Sequence, residues 1–153
     1  IGAEAISVST VGLVPQIRRY AEEGQPYRLI VSLTSAVPER RARLLPVAGR
    51  TSLESLAEAL GELHRRTRSR VTLAWVLLSG VNTGEDEIER LGALLGSVPF
   101  RLNLVEVNDV GLGFAPPSDA ERRAFLDAYA RLGAPFTRRR RRPPPSSRSR
   151  RWT

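Results

Sequence analysis

Cysteine is absent from the 153 residues, so the chain offers neither a disulfide nor a thiolate for a metal or an iron–sulfur cluster. Lysine is absent as well: every one of the 24 basic residues is arginine, which with the many Ala, Gly and Pro has the look of a GC-rich coding sequence. There is one histidine, His64. It sits beside Leu63 and before Arg65-Arg66 on a helical pattern, which predicts a solvated helix-end residue rather than a catalyst. No apolar run approaches the roughly 20 residues that span a bilayer. The longest, "VTLAWVLLSGV" from Val71 to Val81, is far too short, and no charged-then-apolar leader opens the chain. These absences predict a soluble, cytoplasmic protein with no membrane partner. Ile1 opens directly on a strand-like pattern, and the expectation is a piece of a longer protein.

What is present reads as one globular unit, with 41% hydrophobic and 26% charged residues. The formal charge of +8 is not spread evenly. Arg138 to Arg142, Arg148, Arg150 and Arg151 are eight of the 24 basic residues, and the other 16 balance 16 acids. The body is therefore neutral. Electrostatic attraction to nucleic acid, which comes from neutralising phosphates, is expected to come from the tail. The division is thus a folded domain over 1–139 and an Arg/Pro/Ser tail over 140–153, whose composition predicts disorder.

Five apolar, β-branched runs alternate with helical patterns. Ala5 to Ser9 is the first strand, followed by a helix from Val14 to Glu23. Tyr27 to Ser35 is the second strand, with a short helical turn from Glu39 to Leu45. Leu53, Leu56, Leu60 and Leu63 recur at helical spacing, and Thr51-x-x-Glu54 reads as a capping box before them. Arg70 to Gly80 is the third strand, and Thr83-x-x-Asp86 opens a helix with Ile88, Leu91, Leu94 and Leu95 turned inward. Arg101 to Asp109 is the fourth strand, and Ser118-x-x-Glu121 caps a helix striped by Phe125, Ala128, Tyr129 and Leu132. Pro135 to Arg139 forms a short fifth strand. Trp75, in the middle of an apolar strand, belongs in the core.

Strands alternating with helices in units of about 30 residues predict right-handed βαβ crossovers and a parallel α/β sheet. The choice is between an open doubly wound sheet and part of a (β/α) barrel, and the lack of a Gly-x-Gly-x-x-Gly after the first strand argues against a dinucleotide fold. In such a barrel the ligand-facing rim lies where the strands' carboxyl ends meet. Those ends carry Ser9, then Ser32 with Thr34, then Ser79 and Asn82, then Asn108 with Asp109. Hydroxyl and amide side chains gathered at one mouth suit a small polar ligand.

This ordered series resembles a known family. "VSTVGLVPQIRRYA" (Val8 to Ala21), "VSLTSAVPERRARLLPV" (Val31 to Val47), "VTLAWVLLSGVN" (Val71 to Asn82) and "NLVEVNDVG" (Asn103 to Gly111) are similar, in order and spacing, to the carboxyl half of the RlmN/Cfr radical S-adenosylmethionine methyltransferases. The resemblance runs from about residue 6 to residue 139. It implies a partial TIM barrel of the radical-SAM type, incomplete at its amino end, and a parent enzyme that methylates an adenine of 23S ribosomal RNA. It also implies S-adenosylmethionine as cofactor, with Ser9 at the Ser of the family's "STxG" turn, Ser32 at the Ser of "SLH", and Asn108 at the Asn of "NxxPxNP" as its contacts. Thr34 stands where the family has the His of "SLH", keeping a hydroxyl and losing the ring.

Other departures bear on activity. Ser79 stands where the family has Asp, and Asp109 follows Asn108 where the family has Pro. The family's Cys-x-x-x-Cys-x-x-Cys, which holds the 4Fe-4S cluster of the parent enzyme, and its methyl-carrying Cys have no counterpart here. The chain alone is therefore expected to be inert. A rival of a different class is a non-enzymatic or degenerate paralogue that binds RNA, or acts as a scaffold, through the arginine tail.

Overall fold

The computed structural model describes residues 7–10, 14–24, 28–47, 51–106 and 114–140, with backbone alone for 7–10, 139 and 140. Asn108, Asp109 and the tail from residue 141 onward lie outside the described residues. Five strands alternate with helices in the order β1 (Ser7–Thr10), α1 (Val14–Glu23), β2 (Arg28–Ser32), α2 (Pro38–Leu44), α3 (Leu53–Thr67), β3 (Val71–Val76), α4 (Glu85–Leu95), β4 (Phe100–Glu106), α5 (Asp119–Ala130) and β5 (Phe136–Arg140). The strands form one sheet in the order β1-β2-β3-β4-β5, and every neighbouring pair is parallel. A sheet that adds each strand beside the last, through right-handed crossovers, carries its connecting helices on one face. This is the expected α/β architecture, part of a barrel wall.

The alternation of side chains along each strand divides the two faces. Leu29, Val31, Val71, Leu73, Trp75, Leu102 and Leu104 meet Ile17, Leu56, Leu60, Ile88, Leu91, Phe125 and Tyr129 from the helices in one core. Trp75 is fully buried, with its ring 5.7 Å from that of Phe125. The intervening residues point to the other face: Ile30, Ser32, Thr72, Ala74, Val76, Asn103, Val105 and Thr137. Ile30, Thr72 and Asn103 of that face are buried and Ser32, Ala74, Val76 and Val105 half-buried, and hydroxyls and an amide stand there among the aliphatic side chains.

Helix signals vary in how well they locate the first turn. α1 spans Val14–Glu23 as its pattern predicts. α5 has the full capping box: Ser118 accepts from the Glu121 N–H, and the Glu121 carboxylate accepts from the Ser118 N–H. At α3 the cap is Ser52 rather than Thr51, because Ser52 is the residue whose hydroxyl reaches a free amide, that of Ser55, at 3.1 Å. At α4 the cap is Gly84, without a side-chain bond, in place of Thr83. α4 meets the turn after α5 where Gly92 faces Leu132; a Cβ there would lie 2.9 Å from Leu132 Cδ2.

β2 and β3 are shorter than their apolar runs. β2 ends at Ser32 instead of Ser35 because Thr34 has φ +60°, a left-handed conformation that breaks the extended chain. β3 ends at Val76 instead of Gly80, where the backbone turns toward Asn82.

Candidate functional site

The rim at the carboxyl ends of the strands is built on two tight connections. After Ser32 the chain folds through a three-residue turn in which the Ser35 N–H donates to Leu33 O at 2.7 Å around Thr34. Such a turn with positive φ is uncommon and strained. Asn82 holds it in place. Its amide Nδ2 donates to Thr34 O and to Val76 O, both at 2.7 Å, and its Oδ1 accepts from the Leu78 N–H at 2.9 Å. Asn82 is fully buried, so these bonds are made away from water, where an unmade one is costly.

A second brace comes from α4. Glu87, fully buried in its first turn, accepts from Ser35 Oγ at 2.6 Å, from the Ala36 N–H at 2.7 Å and from Arg40 Nη1 at 2.9 Å. Arg40 Nη2 also donates to Asp86. The loop after β2 is thus fixed from both sides before any ligand arrives.

Farther along the rim, Ser79 donates to both carboxylate oxygens of Glu121, at 3.1 and 2.8 Å, and the Gly80 N–H joins at 3.2 Å. The backbone hydrogen bond from Ser118 and the Ser79 hydroxyl hold the Glu121 carboxyl below the usual carboxylate range. Ser79 lies three residues past the end of β3, and its hydroxyl is engaged in joining that loop to α5. Glu106, the last residue of β4, accepts from Arg122 Nε at 2.5 Å and Arg138 Nη2 at 2.8 Å. Burial alone would raise its pKa; the hydrogen bonds from Arg138 and Arg122 outweigh that and lower it.

The expected cofactor residues fall as follows. Ser9 pairs in register with Ile30 and is the penultimate residue of β1. Ser32 ends β2, pairs with Ala74, and through it lies in one row with Asn103 and Thr137 on the open face. Strands 4.8 Å apart put Ser32 and Asn103 about 10 Å from each other with only Ala74 between them. Thr34 follows two residues later and is 5% exposed. Ser9, Ser32 and Thr34 thus share the carboxyl end of the sheet, while Asn108 lies outside the described residues. Asn103, in the middle of β4 in the row of Ser32, is a residue that strand ends alone do not reveal. Its signal is the alternation in "LNLVE", with Leu102 and Leu104 turned to the core and Asn103 between them. Its Oδ1 accepts from Thr137 Oγ1 at 3.2 Å.

Among the described residues no group of three His, Cys, Asp or Glu side chains is placed to hold a metal. No helix among them is long and apolar enough to cross a membrane.

No family model matches the chain. It is 46% identical over 141 residues to a probable RNA methyltransferase of Anaeromyxobacter sp. (strain Fw109-5), covering 91% of this chain and 42% of that protein. It is 36% identical over 138 residues to the dual-specificity RNA methyltransferase RlmN 1 of Myxococcus xanthus (strain DK1622), covering 90% of this chain and 38% of that protein. The crystal structure of a radical SAM methyltransferase from Sphaerobacter thermophilus superimposes with a TM-score of 0.86 at 34% identity, over 94% of this chain and 42% of that one. A domain of a pyruvate-formate lyase-activating enzyme from Bacteroides vulgatus, 16% identical with a TM-score of 0.60, shares the fold. The chain spans about two fifths of the length of the relatives it matches.

Proposed function

We infer that this chain, which belongs to the RlmN-type family of radical SAM methyltransferases, forms part of the barrel wall and part of the S-adenosylmethionine pocket of an RNA methyltransferase. The observation that carries the reading is the placement of Ser9, Ser32 and Thr34 at one end of a parallel sheet, beside the face that carries Ser32, Thr72, Asn103 and Thr137.

The residues present fit that cofactor. Ser32 is half-buried on the open face, and the small Ala74 leaves a shallow floor between it and Asn103. Hydroxyl and amide groups there can bond ribose hydroxyls and the amino-acid end of the molecule, and orienting the cofactor is the protein's share of such chemistry. Held there by Ser9, Ser32 and Thr34, S-adenosylmethionine would supply either an electrophilic methyl group or, with one electron from outside this chain, radical chemistry, one molecule serving only one of the two. The braced loop after β2 keeps Ser32 and Thr34 from moving as the ligand enters, which lowers the entropy cost of binding. A 4Fe-4S cluster does not fit this chain: it has no cysteine, and no step through a cluster is assigned to its residues. In this reading the cluster belongs to the rest of the parent enzyme, the substrate is an adenine of 23S ribosomal RNA, and the setting is the cytoplasm.

Calorimetric titration of the full chain with S-adenosylmethionine tests the pocket. Loss of one hydrogen bond of about 1 kcal/mol in Ser32→Ala should weaken binding roughly five- to tenfold. Equal affinity in the two proteins would remove Ser32 from the site. Reconstitution with iron and sulfide should give no cluster absorbance and no cleavage of S-adenosylmethionine. Joining residues 1–139 to both the cluster-bearing part of the Anaeromyxobacter relative and that relative's segment with the methyl-carrying Cys, which this chain lacks, should restore methylation, read by mass spectrometry of 23S RNA digests. A folded, cofactor-binding fusion without methylation would favour the degenerate paralogue.

A further inference from the structure

The opposite end of the sheet is chemically different. A groove of about 610 Å³ opens at the amino ends of β2, β3 and β4 and is lined by Arg28, Arg66, Arg70 and Arg101, with Thr72 and Tyr20. Among the described residues no carboxylate lines it. The sheet register explains why the arginines gather. Ile30 pairs with Thr72, and Thr72 with Arg101, so Arg101 lies on the open face in the row of Thr72. Arg28 and Arg70 each stand two residues before that paired row, one pleat repeat lower on adjacent chains. Arg66 comes from the last turn of α3, where its Nε is 3.7 Å from Glu62, a carboxylate also 3.6 Å from Arg18. Within the described residues, none of Arg28, Arg70 and Arg101 is ion-paired.

Like charges on adjacent strands repel, and a folded domain with as many acids as bases in its body has the means to neutralise them. It does so at the other end, where Glu87, Glu106 and Asp86 pair with Arg40, Arg122 and Arg138. Three unpaired guanidiniums around a groove are what an anion would neutralise. The guanidinium's planar fork matches the oxygens of phosphate in bidentate geometry. Thr72, 7% exposed, places a hydroxyl among them. The volume exceeds that of a single phosphate and leaves room for the sugar or second phosphate that would accompany it.

We propose that this groove at the amino end of the sheet, distant from the rim, is a phosphate-binding site formed by Arg28, Arg70 and Arg101. The phosphate is either a phosphodiester of RNA or a free phosphate, and two measurements on the full chain separate them.

In the first, anisotropy of a labelled unstructured RNA is followed against salt for the wild type and for R28Q/R70Q/R101Q. The tail is common to both proteins and cancels in the difference. Removing three phosphate contacts should make the slope of log K against log salt shallower by about 2, at roughly 0.7 per contact for a single strand. In the second, millimolar inorganic phosphate, compared with chloride at matched ionic strength, should raise the wild-type melting temperature and leave that of the variant unchanged. A changed RNA slope assigns the site to a phosphodiester; a phosphate-specific thermal shift alone assigns it to a free phosphate. Equal slopes together with equal thermal shifts overturn the proposal. R28K/R70K/R101K guards against misfolding: it should keep most of the wild-type slope or thermal shift, and a lysine variant that behaves like the glutamine variant overturns the proposal too. Titration with S-adenosylmethionine should be the same in all three proteins, so failure here leaves the reading of the rim intact.

Discussion

The two faces of the sheet are made by the same strands and do different work. On the helix side, Leu73, Trp75, Leu102 and Leu104 are at most 1% exposed and fill a continuous core. On the other side, Ser32, Ala74 and Val76 are half-buried and offer polar or small groups to whatever lies over them. The continuous core lies on the first face, and the second carries Ser32, to which the proposed function assigns cofactor binding. The rim joins them, because Asn82 and Glu87 are polar residues used wholly for structure.

The largest test of that division is Leu73→Ala, which leaves a void in a packed core and should cost about 2–5 kcal/mol in chemical denaturation. An equally small residue on the open face, Ser32→Ala, should stay within about 0.5 kcal/mol of wild type. A Ser32→Ala cost approaching that of Leu73→Ala would mean that the second face is also a core. Next in size is Asn82→Ala, which strands Leu78 N–H, Thr34 O and Val76 O, and should cost about 2–4 kcal/mol. If Asn82 acts as a structural clamp for the rim, S-adenosylmethionine affinity should fall with it even though Asn82 is buried.

Acid gives a smaller effect. Glu106 and Glu121 have lowered pKa values, so their contribution is fully present above the unfolded carboxylate value of about 4.3 and is lost as pH falls through the folded values. Urea midpoints should drop between about pH 4 and pH 2, and Arg122→Gln should flatten that fall by removing a partner of Glu106. An unchanged slope would show that the ion pairs at the end of β4 do not influence folding. The smallest effect is a gain. Thr34→Asn places a residue that tolerates positive φ where a β-branched one now sits, and should stabilise by up to about 1 kcal/mol. A differential scanning trace shifted downward would show that the Thr34 side chain contributes more than its backbone strain costs.

Much of this was legible in the residues. Regular periodicity placed α1 at Val14–Glu23 and the box Ser118-x-x-Glu121 at the start of α5. Caps were misplaced by one residue at Thr51 and Thr83, since Ser52 and Gly84 carry the extended backbone that a cap requires. Strand ends ran too long at β2 and β3 because apolar residues such as Leu33, Leu77 and Leu78 remain buried after the chain has left the sheet. At the rim, Ser32 and Thr34 were visible as polar residues ending an apolar run, whereas the part played by Glu87 was not. Its partners, Ser35, Ala36 and Arg40, lie some fifty positions away, and only the fold brings a carboxylate from one helix to the loop before another. Arg28, Arg66, Arg70 and Arg101 were hidden for the same reason: scattered over four segments, they form no charge run in the sequence.

Asn82 grips the carbonyl of residue 34, not its side chain. The shape of the loop is therefore dictated from a distance, and the identity of residue 34 is left largely uncommitted. A position of that kind can exchange imidazole for hydroxyl, as the Thr found here in place of the family's His suggests, while the path of the main chain stays the same. Under the proposed function, a change in what residue 34 offers a ligand then requires one substitution and no remodelling.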